Sequence, residues 1–305
     1  MLKKLIRKIL NRFFLRSLDD IKIQKGQLFE RNLEMNLNKI EKLEQSYFQV
    51  FSQDYEDGII QYLLKSLKIE NVKFVEIGTQ DYSESNTRYI FETMKCEGLI
   101  IDPTPNLEKK IRSMLKIWKN KLIVYNDFIN SKEINSILIE KNFYKDIDVF
   151  SLDIDGIDYW VLKALPDTIS KIFVIEYNPY FGSEKEVCAP NIEKFERYNY
   201  HHTGACWGAS LRAIINLMNK KGYTFLGSNR LNVNAFFIRN DLINQVKLKI
   251  PQIENLSEYT KYKFNLIKNF NNDKPKFEEI DSIIQEVEVF DIKTKVIKKF
   301  KQIIW

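Results

Sequence analysis

Seven short apolar runs, separated mostly by segments of helical spacing, constrain the fold of this chain most strongly. The runs are VKFVEIG, GLIID, LIVYND, DVFSLDID, KIFVIEYN, YTFLGSN and NAFFIRND. Helical patterns lie between the first four runs, at residues 89–94, 107–115 and 134–139. Apolar runs that alternate with helices are typical of parallel strands buried on both faces of a sheet. The sequence therefore predicts an α/β fold with a Rossmann-like, doubly wound sheet of seven strands.

The last two runs differ from the others because only a short turn separates residues 223–227 from residues 234–239. This spacing predicts a hairpin, and a hairpin makes the last strand antiparallel. Class I methyltransferases end their sheet in this way, whereas a nicotinamide-binding Rossmann domain usually ends with a parallel strand. The hairpin therefore favours the methyltransferase arrangement.

The distribution of glycines divides the chain into three parts. Apart from Gly26, every glycine lies between Gly58 and Gly227, where tight turns between strands and helices need them. We therefore predict a catalytic domain over residues 48–241. A basic amphipathic helix and a helical connector precede it in residues 1–47, and a helical, charged C-terminal extension follows in residues 242–305.

Residues 1–17 carry six Lys and Arg side chains and no acid, with apolar residues at helical spacing. The frequent charges exclude a membrane-spanning helix. Two interpretations remain open: the helix lies on an anionic membrane surface, or it docks on the domain or on a partner. In the connector 27–47, one face carries apolar residues and favours self-association as a homodimer. That face comprises Leu33, Leu37, Ile40 and Leu43.

Composition excludes several classes of protein. The three cysteines, Cys96, Cys188 and Cys206, have neither an even count nor the CxxC spacing of a zinc site, so neither a disulfide framework nor a zinc site is expected. The net charge of +6 comes from 47 basic residues spread among 41 acidic ones. This mixture indicates a solvated surface and argues against a nucleic acid partner. We expect a cytoplasmic protein, peripheral at the inner face of the membrane if residues 1–17 bind lipid.

Acidic residues follow the first three predicted strands, where an open parallel sheet binds its ligand. Glu76 and Gly78 end the first strand, and Asp102, 24 residues after Gly78, ends the second. A carboxylate at Asp102 is placed to accept hydrogen bonds from two ribose hydroxyls, and Asp127 to contact an adenine amino group. A helix N-cap is the alternative for Asp102 and Asp127. The predicted cofactor-binding residues are Glu76, Gly78, Thr79, Gln80, Asp81, Asn86, Asp102, Asp127 and Asp153.

Seven segments together resemble the FkbM-like class I S-adenosylmethionine-dependent methyltransferases, especially the branch with a DIDGxDYW strand end. They are SQDYEDGII, FVEIGTQDYSESNT, FSLDIDGIDYWVL, FVIEYN, GASLRAI, KGYTFLGSN and NAFFIRNDL, and they span about 190 residues in order. The resemblance implies S-adenosylmethionine as the cofactor and O-methylation of a sugar hydroxyl, commonly in a surface glycan. The loop GTQDYSESN departs from the family because it lacks the second glycine of the GxxxG form.

The segment SQDYEDG precedes the first strand and has two interpretations. The resemblance implies that Gln53, Glu56 and Asp57 border the cofactor or the acceptor. The alternative is the start of a helix, with Ser52 as the N-cap and the acids in the first turn.

The segment LDIDGIDYW predicts the chemical site, because it places Asp153, Asp155 and Asp158 at the end of the fourth strand. Three carboxylates in six residues are costly unless a cation neutralises them or one keeps a proton. With Glu176 and Asn178 from the next strand, Asp153 and Asp155 are candidate ligands for Mg²⁺ or Mn²⁺, which would lower the pKa of a sugar hydroxyl. The alternative is a metal-free general base.

Candidates for that base are Asp155 and the adjacent His201 and His202, which lie in the region after the fifth strand. The same region is rich in aromatic residues, and sugar rings pack on aromatic planes. We therefore assign Tyr177, Tyr180 and Trp207 to the sugar or glycan acceptor. Ordinary packing against the sheet is the alternative.

Three other functions remain in view. A DID strand end also occurs in metal-dependent glycosyltransferases and in phosphatases with an aspartate nucleophile. The position of this motif, after three strand–helix units, argues against the phosphatase, and the acids at cofactor spacing argue against the glycosyltransferase. A non-catalytic, methyltransferase-like module for assembly at a membrane is the non-enzymatic alternative, motivated by the atypical first loop and the basic termini.

Overall fold

The protein was analysed as a computed structural model that describes residues 2–115, 120–263, 265–269, 271 and 273–304, and the side chains of residues 2–13 lie outside the described set. A central seven-stranded sheet forms the core. Its strands are β1 (Asn71–Ile77), β2 (Lys95–Ile101), β3 (Lys121–Tyr125), β4 (Ile147–Leu152), β5 (Ser170–Glu176), β7 (Tyr223–Ser228) and β8 (Asn234–Arg239). The additional strand β6 (Val187–Cys188) belongs to a second sheet. All seven predicted strands are therefore confirmed.

The strand order of the central sheet is β3-β2-β1-β4-β5-β8-β7. The first five strands are parallel, whereas β8 runs antiparallel to both β5 and β7. This is the Rossmann-like methyltransferase fold, with the predicted antiparallel last strand. The direction of winding reverses between β1 and β4, so the carboxyl ends of these two strands form the switch point at which such sheets bind ligands.

Helices cover both faces of the sheet. They are α2 (Glu56–Ser66), α3 (Arg88–Thr93), α4 (Leu107–Met114), α5 (Ile134–Glu140), α6 (Asp158–Ala164), α7 (Arg197–Tyr200) and α8 (Leu211–Lys220). Helix α8 illustrates why they form: the Ser210 side chain caps the backbone N–H of Ala213, and apolar residues at helical spacing face the sheet. Helix α2 begins after Tyr55, which has a φ of +70°, so the predicted N-cap at Ser52 is wrong although the predicted helix start is correct to within a few residues.

A long helix, α1 (Leu2–Asn36), precedes the domain and docks on it. Asp19 forms an ion pair with Arg88 at 2.5 Å, and Glu30 forms one with Lys65 at 2.7 Å. Gly26 allows a close approach, because a Cβ there would lie 2.6 Å from the Val50 side chain. The predicted membrane-binding face of residues 1–17 depends largely on side chains outside the described set. Among the described residues, no helix is long and apolar enough to cross a membrane.

The predicted helical connector 27–47 is helical up to residue 36, where it forms the end of α1, and only partly helical beyond it. Residues 37–39 and 43–46 form short 3-10 helices. Leu33, Ile40 and Leu43 are buried in this chain's own core. The face predicted to self-associate is therefore already occupied.

The C-terminal extension was predicted to be helical, and this is wrong for its last part. It contains α9 (Phe277–Glu286) and then the strands β9 (Glu288–Asp291) and β10 (Val296–Lys299). These strands pair antiparallel, and β9 also pairs with β6 in the order β10-β9-β6. The turn explains the hairpin: Asp291 accepts hydrogen bonds from the backbone N–H groups of Lys293 and Thr294, and Lys295 has a φ of +62°.

Candidate active site

One cavity of about 590 Å³ lies at the carboxyl ends of the central strands. One half lies beside the ends of β1, β2 and β3, and we call it the β1–β3 half. The other half lies beside the ends of β4 and β5 and the start of β8, and we call it the β4–β8 half. The β1–β3 half includes Glu76, Gly78, Thr79, Gln80, Asp81, Asn86, Asp102 and Asp127, and the β4–β8 half includes Asp153, Asp155, Glu176, Phe195, Arg197, Tyr198, Asn234 and Leu266. All nine predicted cofactor-binding residues therefore line one cavity.

Gly78 is required where β1 meets β4. It has a φ of +85°, and a Cβ there would overlap the backbone carbonyl oxygen of Asp153. The N–H of Asp153 donates to the carbonyl of Ile77 at 3.0 Å, which holds the two strand ends together. The glycine therefore joins the two halves of the cavity, in addition to the predicted role of letting backbone approach a ligand.

Asp102 organises the loop after β1. Its Oδ2 accepts hydrogen bonds from the backbone N–H groups of Thr79 and Gln80 at 2.9 and 2.8 Å, and its Oδ1 accepts one from Thr104 at 2.7 Å. Oδ1 therefore keeps a free lone pair beside the cavity. The N-cap of α4 is Asn106 and that of α5 is Glu133, so the N-cap alternative is wrong for both Asp102 and Asp127.

Glu76 holds the second part of the same loop. Its carboxylate accepts hydrogen bonds from the Ser85 hydroxyl, from the backbone N–H groups of Asn86 and Thr87, and from the Thr87 hydroxyl. Burial raises the pKa of Glu76, which these donors oppose. The loop GTQDYSESN, which lacks the second glycine of the GxxxG form, is thus held in place by two carboxylates, Glu76 and Asp102.

Three polar side chains form the floor of the β4–β8 half: Asp153, Glu176 and Asn234. Glu176 and Asn234 are paired in register across β5 and β8. Glu176 Oε2 and Asn234 Oδ1 are buried and have no hydrogen-bond partner among the described residues. Unpaired buried oxygens that face a cavity are suited to bind a ligand that donates hydrogen bonds.

The carboxyl groups of Asp153 and Glu176 interact directly, and both have raised pKa values. Burial is the largest cause in each case, and the nearby carboxylates of Asp155 and Asp158 add to it. The Arg197 guanidinium acts in the opposite direction on the pKa of Glu176. Two carboxyls this close do not both ionise readily, so the pair retains a proton at a pH where exposed carboxylates have none.

The other two acids of LDIDGIDYW have different roles. Asp155 has a φ of +52°, is half-exposed at the cavity mouth and forms an ion pair with Arg197 at 2.7 Å. Asp158 is fully buried, and its carboxylate accepts hydrogen bonds from the backbone N–H groups of Ile154 and Gly156 at 2.9 and 3.0 Å. It does not line the cavity, so the predicted catalytic role of Asp158 is replaced by shaping the turn that positions Asp153 and Asp155.

The four predicted metal ligands do not assemble into one site. The Asn178 carboxamide is buried and donates to the carbonyls of Ala205 and Trp207, while its oxygen accepts from the N–H of Tyr180. Asp155 is paired with Arg197 instead. Only Asp153 and Glu176 remain together, and the described residues contain no group of three or more His, Cys, Asp or Glu that could hold a metal ion. The donor set therefore does not fit Mg²⁺ or Mn²⁺.

His201 and His202 lie outside the cavity lining. Their rings are 4.6 Å apart, and His201 Nδ1 is 2.7 Å from the Thr203 hydroxyl. Burial, followed by the charge of His202, lowers the pKa of His201. The geometry therefore does not support the histidines as the general base for a substrate in this cavity.

The predicted acceptor residues Tyr177, Tyr180 and Trp207 are buried and do not line the cavity. The Tyr177 hydroxyl donates to the carbonyl of Tyr259, and the Tyr180 hydroxyl accepts from the N–H of Leu266. The alternative of ordinary packing is therefore correct for these rings, because they connect the sheet to the C-terminal extension.

In the segment SQDYEDG, Gln53 lines the cavity, whereas the acids Asp54, Glu56 and Asp57 do not. Asp57 accepts hydrogen bonds from three successive backbone N–H groups, those of residues 50–52, and burial raises its pKa to about 6. Glu56 accepts hydrogen bonds from the side chains of Asn229 and Asn234 at 2.7 and 2.9 Å. Glu56 therefore orients Asn234 from behind the site.

Among the residues that line the cavity, Asn234 and Arg197 were not predicted from the sequence, nor were the two residues of the aromatic wall, Phe195 and Tyr198. Asn234 could have been predicted from the sequence. Because β8 was predicted to be antiparallel, its first residue must lie at the edge where the parallel strands end. No comparable sequence signal pointed to Arg197, because it begins the short helix α7 in the long connection between β5 and α8.

Comparison with known proteins concerns the fold alone. No protein-family model and no curated protein matches the chain. Solved structures that match include LepI in complex with SAM (17% identity over 58% of this chain and 46% of LepI, TM-score 0.33). The small RNA methyltransferase HEN1 matches with 14% identity over 59% of this chain and 24% of that chain, TM-score 0.36. An S-adenosylmethionine-dependent methyltransferase from Mesorhizobium loti matches with 11% identity over 60% of this chain and all of that chain, TM-score 0.37. The chain thus spans about half the length of LepI and about a quarter of HEN1.

Proposed function

We propose that this chain is an S-adenosylmethionine-dependent O-methyltransferase that acts on a hydroxyl of a sugar or glycan. The observation that carries the proposal is the pair Asp153 and Glu176, two carboxyl groups of raised pKa in the same cavity as Asp102. The first two supply a site for a proton, and the third supplies a site for a nucleoside. The FkbM-like resemblance of the sequence supports the same function.

The residues of the β1–β3 half fit the cofactor. Asp102 keeps an accepting lone pair for ribose hydroxyls, and the buried Thr79 hydroxyl has no partner among the described residues. Asp127, exposed at the edge of the cavity, would face the adenine. When bound, S-adenosylmethionine supplies an electrophilic methyl group.

Asp153 and Glu176 provide the proton chemistry that O-methylation requires. A sugar hydroxyl is a weak nucleophile until it loses its proton, and a carboxylate of raised pKa is a better base than an ordinary one. The ionised carboxylate of the pair accepts the proton of the hydroxyl, and the other carboxyl group stabilises the resulting protonation state through a hydrogen bond between the two. The unpartnered Asn234 Oδ1 would accept a hydrogen bond from a neighbouring hydroxyl and so orient the acceptor.

Aromatic side chains make the wall of the β4–β8 half suitable for a sugar. Phe195 packs against Gly156, where a Cβ would lie 2.8 Å from the ring, and Tyr198 packs against Gly204. Tyr198 is 48% exposed at the cavity mouth. Its ring offers the apolar face on which the C–H groups of a sugar pack. These two glycines therefore give the aromatic wall its shape.

Two measurements test the proposal. Calorimetric titration with S-adenosylmethionine and S-adenosylhomocysteine is expected to show binding, and the absence of binding at millimolar ligand would overturn it. Transfer of a labelled methyl group to cell-envelope glycan fractions, followed by linkage analysis of the product, tests the acceptor class. Methylation of nitrogen or carbon atoms only would contradict the assignment of Asp153 and Glu176 as the base for a hydroxyl.

A further inference from the structure

We propose that the outer face of α1 binds a second copy of this chain through a two-stranded coiled coil. The observation is a stripe on this helix that faces away from the domain. Its members are spaced alternately by four and three residues, and we call them the seam: Phe14, Leu18, Ile21, Lys25, Leu28, Asn32 and Met35. This spacing is that of the a and d positions of a heptad repeat.

The seam is separate from the face that docks on the domain. Docking uses Asp19, Gly26, Glu30 and Leu33, which lie on the opposite side of the helix. The five apolar residues of the seam are instead between 39% and 75% exposed. The domain thus holds α1 in place while the seam faces solvent.

The exposed area suffices for a dimer. The five apolar side chains together expose the equivalent of about three whole side chains. At roughly 150–200 Å² for a large apolar side chain, this is about 500 Å² per chain. Two copies would bury about 1,000 Å², the lower bound of a specific interface. The seam extends over 22 residues, which is three heptads and about 33 Å of helix.

The polar members of the seam favour a second copy over a lipid surface. Lys25 and Asn32 occupy the same heptad position as Leu18, and a polar Lys or Asn at this position defines the register and oligomeric state of a coiled coil at a cost in stability. A helix that lies in a membrane interface needs a continuous apolar face, whereas Lys25 and Asn32 interrupt this one. Leu15 and Phe29, which are also exposed, flank the seam and widen the apolar surface offered to a second helix. The flanking positions include Lys22 and Arg31 but no acid, so association depends on the apolar residues and not on salt bridges between the flanks.

Sedimentation of the full chain tests the proposal. The wild-type protein is expected to be a dimer at micromolar concentrations. The double variant Ile21→Glu, Leu28→Glu places charges in the seam and is expected to weaken association by about a hundredfold or more. Ile139→Glu is the matched control, because Ile139 is equally exposed but lies on α5. A monomeric wild-type protein, or an Ile21→Glu, Leu28→Glu variant that stays dimeric, would overturn the proposal.

A second variant tests the same seam by gain of affinity. Lys25→Leu, Asn32→Leu completes the apolar stripe and is expected to tighten association by about tenfold or more. Binding of S-adenosylhomocysteine and the thermal midpoint report whether each variant remains folded. Sedimentation with vesicles of phosphatidylcholine and phosphatidylserine gives the lipid arm. If the wild-type protein is a monomer that binds these vesicles, and the Ile21→Glu, Leu28→Glu variant does not bind them, the seam binds a membrane surface and the dimer proposal is wrong.

Discussion

Replacement of Glu176 by glutamine tests the proposed base most directly. Glutamine has nearly the same volume and keeps one oxygen, so it removes one of the two ionisable groups of the pair without opening a cavity. Glu176 is 6% exposed, and its Oε2 has no hydrogen-bond partner among the described residues, so few other interactions are lost. The β1–β3 half lies on other strands, so cofactor affinity is expected to remain within about threefold of wild type.

The size of the effect follows from the chemistry of the pair. Loss of a general base typically lowers the rate by about 10²- to 10⁴-fold, which corresponds to about 3–5 kcal/mol of activation free energy. Since the pKa values of Asp153 and Glu176 are both raised, wild-type activity is expected to fall on acidification at a higher pH than for exposed carboxylates. In Glu176→Gln, Asp153 titrates as a single group, so the shape of the acidic limb is expected to change.

The assay is transfer of labelled methyl groups to the glycan fraction at saturating cofactor, from about pH 5 to pH 9. Glu140→Gln, at the exposed end of α5, is the matched control, because it removes the same charge far from the cavity. Turnover of Glu176→Gln within about threefold of wild type, with an unchanged acidic limb, would refute the reasoning.

Four further predictions test other parts of the site and the fold. Gly78→Ala is expected to lower the free energy of unfolding by about 3 kcal/mol in denaturant titrations, because its Cβ overlaps the Asp153 carbonyl. Asp102→Asn is expected to weaken S-adenosylhomocysteine by about 10- to 100-fold in calorimetry while turnover at saturating cofactor persists. Turnover is expected to survive removal of divalent ions by EDTA, since the donor set does not fit a metal, and loss that only added Mg²⁺ or Mn²⁺ restores would contradict this. The pKa of Asp57 is about 6 in the folded chain and about 4 when unfolded, so ionising it should lower stability by up to about 3 kcal/mol as pH rises from 4 to 6. Asp57→Asn is expected to remove this slope from thermal unfolding curves.

The sheet was predictable because its signals are local and strong. Each strand contains a short apolar run, and the turn between β7 and β8 is too short for a crossover helix. The acids that end β1, β2 and β4 were predictable as cavity residues for a related reason. The carboxyl ends of parallel strands meet at one edge, so Glu76, Asp102 and Asp153 had to lie together.

The roles of individual side chains were less predictable, since they depend on contacts between segments distant in sequence. Whether Asn178 points to a metal or to the carbonyl of Ala205 depends on the path of a loop 27 residues later. The orientation of the aromatic side chains depends on the C-terminal extension. The hairpin in that extension has a weak sequence pattern, because β9 and β10 are only four residues each. Tyr177 and Trp207 were therefore assigned to the cavity although they pack behind it.

The small sheet β10-β9-β6 joins the last strands of the chain to the region after β5. Residues beyond 260 also reach the cavity mouth, where the Leu266 carbonyl accepts a hydrogen bond from Arg197. The β4–β8 half of the cavity is therefore encoded by widely separated stretches of sequence, from Asp153 at the end of β4 to Leu266 in the C-terminal extension. A change in the C-terminal extension can therefore alter the β4–β8 half at Leu266, while the residues of the β1–β3 half named above all lie between Glu76 and Asp127 and stay the same.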